Sequence, residues 1–143
     1  MHIINTHFGL STVERLHQAR TLLGPSWLGG IDPNEAIVLC GDFNSRAGSA
    51  TYRFLTRTLT DVVDFEKGSK NRFRTFVSAS PFIRIDHVFT NAAVTVEKME
   101  RVRTAQAILA SDHLPLLAHL QCQPREKVMR QRGSNLVDSY VPA

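Results

Sequence analysis

Five consecutive apolar residues, Ala36-Ile37-Val38-Leu39-Cys40, run without a break into Gly41-Asp42-Phe43-Asn44, and this junction constrains the fold more than any other part of the chain. An apolar run with no polar alternation suits a strand covered on both faces, as in α/β proteins where helices or a second sheet pack on each side. A chain of 143 residues with 43% hydrophobic content can build one core of that kind and not two. The strand ends in a carboxylate and an amide two positions apart. A fully covered strand therefore delivers polar chemistry at its tip.

The flanking segments supply the remaining layers. His2 to His7 reads as a strand through the β-branched Ile3 and Ile4, with an unusually polar end, Asn5-Thr6-His7. Ser11 and Glu14 form a capping box, and Leu16, Ala19 and Leu23 follow at helical spacing until Gly24-Pro25 ends the helix. Pro25 to Glu35, with Gly29-Gly30 and Asp32-Pro33-Asn34, predicts a surface loop. A second helix is expected after Ser49, burying Tyr52, Leu55 and Leu59, and Asp61 to Asn71 reads as a polar loop. Ile83 to Phe89 alternates as a strand, with Arg84, Asp86 and Val88 on one face and Ile83, Ile85, His87 and Phe89 on the other. Thr95 to Val102 and Leu116 to Leu120 complete the strands. Residues 1–123 are thus read as one domain and 124–143, rich in Arg, Lys, Gly, Ser and Asn, as a flexible tail.

Composition excludes little. Seventeen Lys+Arg against thirteen Asp+Glu give a net charge of +4, which favours anionic partners without identifying a nucleic-acid binder. Cys40 and Cys122 lack zinc-like spacing and are expected as free thiols. No apolar stretch approaches the roughly 18 residues of a membrane span, and Met1 leads straight into a strand rather than a signal peptide.

Polar residues collect at four strand tips or faces: Asn5-Thr6-His7, Gly41-Asp42-Phe43-Asn44, Arg84-Ile85-Asp86-His87 and Ser111-Asp112-His113. Asp42 and Asn44 side by side can bind a hard cation or orient a water for attack, although the same residues also suit a plain turn. Asp112-His113 equally suits a capped loop. Asp86 sits in a strand otherwise made of Ile, Val and Phe, so if buried it needs a partner. His113 is the natural one, because a carboxylate on one ring nitrogen fixes the tautomer and raises the basicity of the other. His87 faces opposite to Asp86 and reads as packing. Arg84, sharing the Asp86 face, suits either a phosphate contact or a surface ion pair.

Taken together and in this order, the four clusters resemble the motif series of the endonuclease/exonuclease/phosphatase superfamily, over roughly Ile3 to Leu120. The resemblance implies a deoxyribonuclease I-like α/β fold, a four-layer α/β/β/α sandwich with the active site at one end of two packed sheets. It also implies catalytic roles for His7, Asp42, Asn44, Asp86 and His113, metal contacts from Asp42, Asn44 and Asp112, and substrate contacts from His7, Asn44 and Arg84. The implied cofactor is Mg²⁺, with Mn²⁺ as a substitute. The substrate would be a phosphoester: a nucleic acid, a phospholipid or a small phosphodiester.

One family feature is missing from the sequence. Members carry an Asn and a metal-binding Glu on strands well before the His7 motif, whereas here six residues precede His7 and none is acidic. The expectation is therefore a partial domain lacking N-terminal strands, inactive alone and either self-associating or awaiting a complementing segment. A non-catalytic binding or assembly module is the alternative of a different class. Within the enzyme class, Arg72, Phe73, Arg74 and Phe76 offer a basic-aromatic stretch of the kind that binds nucleic acid, and a half-buried strand explains it equally well.

Overall fold

The computed structural model describes residues 1–65 and 70–123; the tail expected at 124–143 lies outside the described residues. Strands β1 (His2–His7), β2 (Ile37–Asp42), β3 (Thr60–Asp61) and β4 (Asp86–Thr90) form one sheet in the order β1-β2-β4-β3. Strand β2 lies parallel to β1 and antiparallel to β4. Strands β5 (Val94–Arg101) and β6 (Leu116–Cys122) pair antiparallel as a second, two-stranded sheet. Helices α1 (Thr12–Leu22), α2 (Ala50–Leu55) and α3 (Ala105–Ala110) complete the regular elements, with short 3-10 turns between them.

Strand alternation explains why β2 shows no polar face. Ile37 and Leu39 pack with Phe8, Ala19, Leu55, Leu59 and Phe89 in a core between the sheet and helices α1 and α2. Val38 and Cys40 point the other way, into a core shared with Val88, Val94, Met99 and Leu116 between the two sheets. Each face of the strand therefore removes apolar surface from water, at about 1.5–3 kcal/mol for each fully buried large side chain. The result is a helix layer, a sheet and a second sheet. This matches three layers of the expected sandwich.

The second sheet is narrower than the first. It covers β2 and β4, whereas on β1 the alternate residues Ile3, Asn5 and His7 stay exposed, Ile3 at 60%. On the helix side, Ser11 caps α1 through its hydroxyl, which accepts from the Glu14 amide at 3.1 Å as its sequence predicts. Both cysteines are free. Helix α3, capped by Thr104, was not anticipated; its six residues bury none of their side chains, so no apolar period marks it.

Two expectations fail together, and one interaction explains both. The described part of Asp61 to Asn71 is not a polar loop: Thr60–Asp61 pairs with β4, 3-10 turns lie at Val62–Phe65 and Lys70–Phe73, and Asp61, Val62 and Val63 are fully buried, while residues 66–69 of that expectation lie outside the described residues. Nor does Arg84 share the face of Asp86. Regular pairing starts only at Asp86, and the preceding chain turns Arg84 inward to clasp Asp61, Nη1 to Oδ1 at 3.2 Å and Nη2 to Oδ2 at 2.7 Å. The Tyr52 hydroxyl donates to the same carboxylate at 2.9 Å, and the Val63 backbone N–H donates to it at 3.1 Å. His87, buried as expected on the face opposite Asp86, places Nδ1 3.3 Å from Asp61 while Nε2 donates to the Ser45 carbonyl at 2.7 Å. Packing alone does not describe it.

Burial by itself would raise the Asp61 pKa, but hydrogen bonds from His87 and Arg84 and their charges outweigh burial and hold it well below the usual carboxylate range. A lowered folded pKa adds stability that is present above the unfolded value of about 3.9 and is lost as pH falls toward the folded value. Removing one partner of a buried pair costs about 3–5 kcal/mol. Urea denaturation at pH 7 is therefore expected to show Asp61→Ala destabilised by about that amount. The gap to wild type should narrow as pH drops below about 4.

Candidate active site

The strand register builds the centre of the site. His7 lies opposite Asp42 across the β1–β2 pair, and Asp42 lies opposite Asp86 across β2–β4. One row across three adjacent strands, on the face turned toward the second sheet, thus carries an imidazole and two carboxylates. Directly opposed like charges repel. Histidines offset this on both sides: His7 Nε2 lies 3.5 Å from Asp42 Oδ2, and His113 places Nδ1 2.8 Å from Asp86 and Nε2 3.9 Å from Asp42.

His113 reaches this row from the chain ahead of β6. Its amide donates to Ser111 Oγ at 3.0 Å, its neighbour Leu114 is buried, and its ring packs on Phe76 with centroids 5.0 Å apart. Because Asp86 accepts at Nδ1, that nitrogen carries the proton and Nε2 faces Asp42. Thr75, which sequence reasoning did not single out, donates its hydroxyl to the same Asp86 oxygen. Burial pulls the His113 pKa down, but the hydrogen bond and charge of Asp86, with Asp42 and Asp112 adding theirs, raise it above 6.5 overall.

The Gly41 to Asn44 turn is shaped for close approach. Gly41 has φ +132°, and a Cβ there would sit 1.9 Å from the Thr6 carbonyl, so only glycine lets β1 and β2 stay paired to their tips. Phe43 plugs the helix-side core, edge-on to Phe8 and Phe89 at 4.9 and 5.1 Å, which fixes Asp42 on the opposite side. Asn44 adopts φ +46°, its amide donating to Asp42 Oδ1 at 2.8 Å. Its side-chain nitrogen donates to the Phe8 carbonyl at 2.7 Å and lies 3.1 Å from His7 Nε2. His7, Asp42, Asn44, Asp86 and His113 therefore converge, and Arg84 does not join them.

Asp42, Asp86 and His113 border a cleft of about 370 Å³ with Ser111 and Leu116. A separate, apolar cavity of about 280 Å³ lies at the other end of β2, against Leu28 and Ile37, and no titratable side chain lines it. One ligand atom each from Asp42, Asp86 and His113 lies within 4.8 Å of the others, whereas exposed Asp112 is not in that group. A hard divalent ion takes about six oxygens, and here Asp86 and His113 already satisfy each other. The described residues do not by themselves fit a complete Mg²⁺ shell.

Residues 5–113 match the model of the endonuclease/exonuclease/phosphatase family, and the chain belongs to that family. Its members are hydrolases acting on phosphoester bonds. The fold is similar to a conserved protein of unknown function from Enterococcus faecalis, with a TM-score of 0.71 and 22% identity over 85% of this chain and 50% of that one. It is also similar to a mannosyl-6-phosphatase from Bacteroides thetaiotaomicron, with a TM-score of 0.68 and 22% identity over 83% of this chain and 50% of the other. A third similar structure is TDP2 from D. rerio complexed with a single-strand DNA product, with a TM-score of 0.64 and 19% identity over 83% and 55% of the two chains. The chain thus spans about half the length of these structures. No curated protein sequence matches it.

The Asp86–His113 pair has a spectroscopic signature that does not depend on turnover. NMR titration is expected to place the His113 pKa above that of an ordinary histidine, and Asp86→Asn should bring it down by removing the main stabiliser of the imidazolium. An unchanged His113 titration in Asp86→Asn would mean that the contact is not held in solution.

Proposed function

We propose that this chain carries the nucleophile-activating side of a divalent-metal-dependent phosphodiesterase that cleaves its substrate by water attack. The observation behind this reading is the row His7, Asp42, Asp86 with His113 set between the two carboxylates. In this reading Asp42 orients the attacking water or takes its proton. His7 and the Asn44 amide donate to phosphate oxygens as charge grows on them. His113 stabilises the pentacovalent transition state, and Asp86 acts by holding its ring and supporting its charge. Family members generally depend on a divalent metal, and Mg²⁺ or Mn²⁺ belongs to the proposal with further ligands from outside the described set.

A second reading, a non-catalytic binding module, is favoured by the open sheet edges. Among the described residues β1 pairs only with β2 and β6 only with β5, and Ile3 and Leu117 are exposed at 60% and 47%. Both readings make these edges a docking place for further strands. They differ in whether docking produces turnover.

Hydrolysis of bis(p-nitrophenyl) phosphate with Mg²⁺ separates them. The chain alone is expected to be nearly silent, and addition of a polypeptide spanning the other half of the family fold to give metal-dependent turnover. In that complex Asp42→Asn or His113→Ala should lower the rate at least about a hundredfold with the fold retained. Asp86→Asn combined with His113→Ala should be little worse than His113→Ala alone, since the two act as a unit. A stable, silent complex decides for the binding module, and near-normal turnover in either single variant refutes the site.

Calorimetry offers an independent check on the donor set. Mg²⁺ should bind the chain alone more weakly than micromolar, because Asp42 and its neighbours supply too few free oxygens.

A further inference from the structure

His87 sits in a cage of rings that a phenylalanine can also fill. It stacks on Phe89 at 5.4 Å, and Phe43 and Tyr52 pack against it at 5.8 and 5.2 Å. The residue is only 1% exposed. Burying an imidazole in such surroundings is unfavourable unless its nitrogens are bonded. Both are: Nδ1 lies 3.3 Å from Asp61 Oδ2, and Nε2 donates to the Ser45 carbonyl at 2.7 Å. Beyond packing, the ring therefore supplies a bridge between Asp61 and the turn that follows β2.

The two ends of this bridge depend on the ring unequally. Asp61 also accepts from both Arg84 nitrogens, the Tyr52 hydroxyl and the Val63 N–H. Ser45 is 3% exposed, so water does not readily replace the donor to its carbonyl. Ser45 adjoins Asn44, whose backbone stands at φ +46°, a conformation that persists only where its surroundings over-determine it. On one side Asn44 is held by its bonds to Asp42 Oδ1 and the Phe8 carbonyl, at 2.8 and 2.7 Å. On the other side the hold is the Ser45 carbonyl on His87. The Asn44 N–H engages Oδ1 of Asp42, and Oδ2 is the oxygen near His7 and His113, at 3.5 and 3.9 Å. A shift of Ser45 is thus passed to Asn44 and from there to the Asp42 carboxylate.

We propose that His87 is a positioning residue of the active site: by holding the Ser45 carbonyl from within the core, its Nε2–H sets the turn that aims Asn44 and the second oxygen of Asp42. The proposal rests on the phosphoesterase reading and deepens it. His87 lies on the face of β4 opposite Asp86, among core rings, and acts only through the backbone of Ser45. A residue that merely fills space there is replaceable by any ring of similar size. A positioning residue is replaceable only by a group that donates at the same point.

The test uses the full chain without metal or substrate and rests on the different reach of two amides. Glutamine places its side-chain nitrogen near the position of Nε2 and asparagine near that of Nδ1, so His87→Gln keeps a donor for Ser45 and His87→Asn does not. His87→Phe keeps the ring and loses both bonds. Asp61 retains its Arg84, Tyr52 and Val63 donors in all three, and circular dichroism checks that each is folded. Amide hydrogen exchange is expected to show protection of the Asn44 N–H falling at least about tenfold in His87→Phe and His87→Asn. In His87→Gln it should stay within about threefold of wild type, with the β1 and β2 amides unchanged in every variant. Unchanged Asn44 protection in His87→Phe overturns the proposal, as does equal protection in His87→Gln and His87→Asn. A uniform loss across Asn44 and the sheet amides reduces His87 to a packing residue. If His87→Phe does not fold, the contrast between the two amide variants decides alone. In the active complex the same order should appear in kcat, with a fall of at least about tenfold in His87→Phe and KM within about threefold of wild type. Silence of that complex counts against the phosphoesterase reading and leaves the exchange pattern to decide the role of His87.

Discussion

The buried carboxylate of Asp61 ties together four segments: α2 through Tyr52, the 3-10 turn through Val63, the approach to β4 through Arg84, and β4 itself through His87. A charge in that position is costly unless its oxygens are fully occupied, and here they are. Through His87 the same network reaches the Ser45 carbonyl and so braces the turn that carries Asp42 and Asn44. The helix-side core thus holds the site from behind. Side chains that never meet solvent determine where the row of His7, Asp42 and Asp86 stands.

In front of that support, the arrangement follows from strand pairing. Parallel β1 and antiparallel β4 flank β2 so that residues far apart in sequence, His7, Asp42 and Asp86, fall on one row. No loop has to adopt a special conformation to bring them together. The exceptions lie at the tip, where Gly41 and Asn44 take left-handed backbone so that the turn can double back against Phe8. Regular structure sets the row, and two strained residues close it.

Much of this was legible in the sequence because its signals were local. The unbroken run at Ala36 to Cys40 announced a strand buried on both faces, Ser11 and Glu14 announced a helix start, and the polar tips at His7, Asp42 and His113 marked where chemistry collects. The pairing of Asp86 with His113 was also readable, from the mismatch of a charge within an apolar strand. What the sequence concealed was long-range. Asp61 looked like the start of a polar loop because nothing nearby shows that Arg84 and His87 will meet it 23 and 26 residues later. Arg84 was misplaced because alternation was carried back past Asp86, where pairing begins. Thr75 gave no signal, as an isolated threonine hydroxyl has no spacing to betray its partner, and α3 buries no stripe that periodicity could detect.

His113 and Asp42 belong to different layers. Asp42 and Asp86 stand on the first sheet, while His113 is tethered to β6 of the second, and the apolar core that includes Val38, Val88, Met99 and Leu116 packs the layers together. Among the described residues the second sheet has two strands, and small packed units of that kind open more readily than the central sheet they rest on. The distance between His113 and the carboxylates is therefore a gauge of how firmly the layers are docked. A substitution that loosens the hairpin is expected to move His113 away from the carboxylates while leaving His7, Asp42 and Asp86 in place.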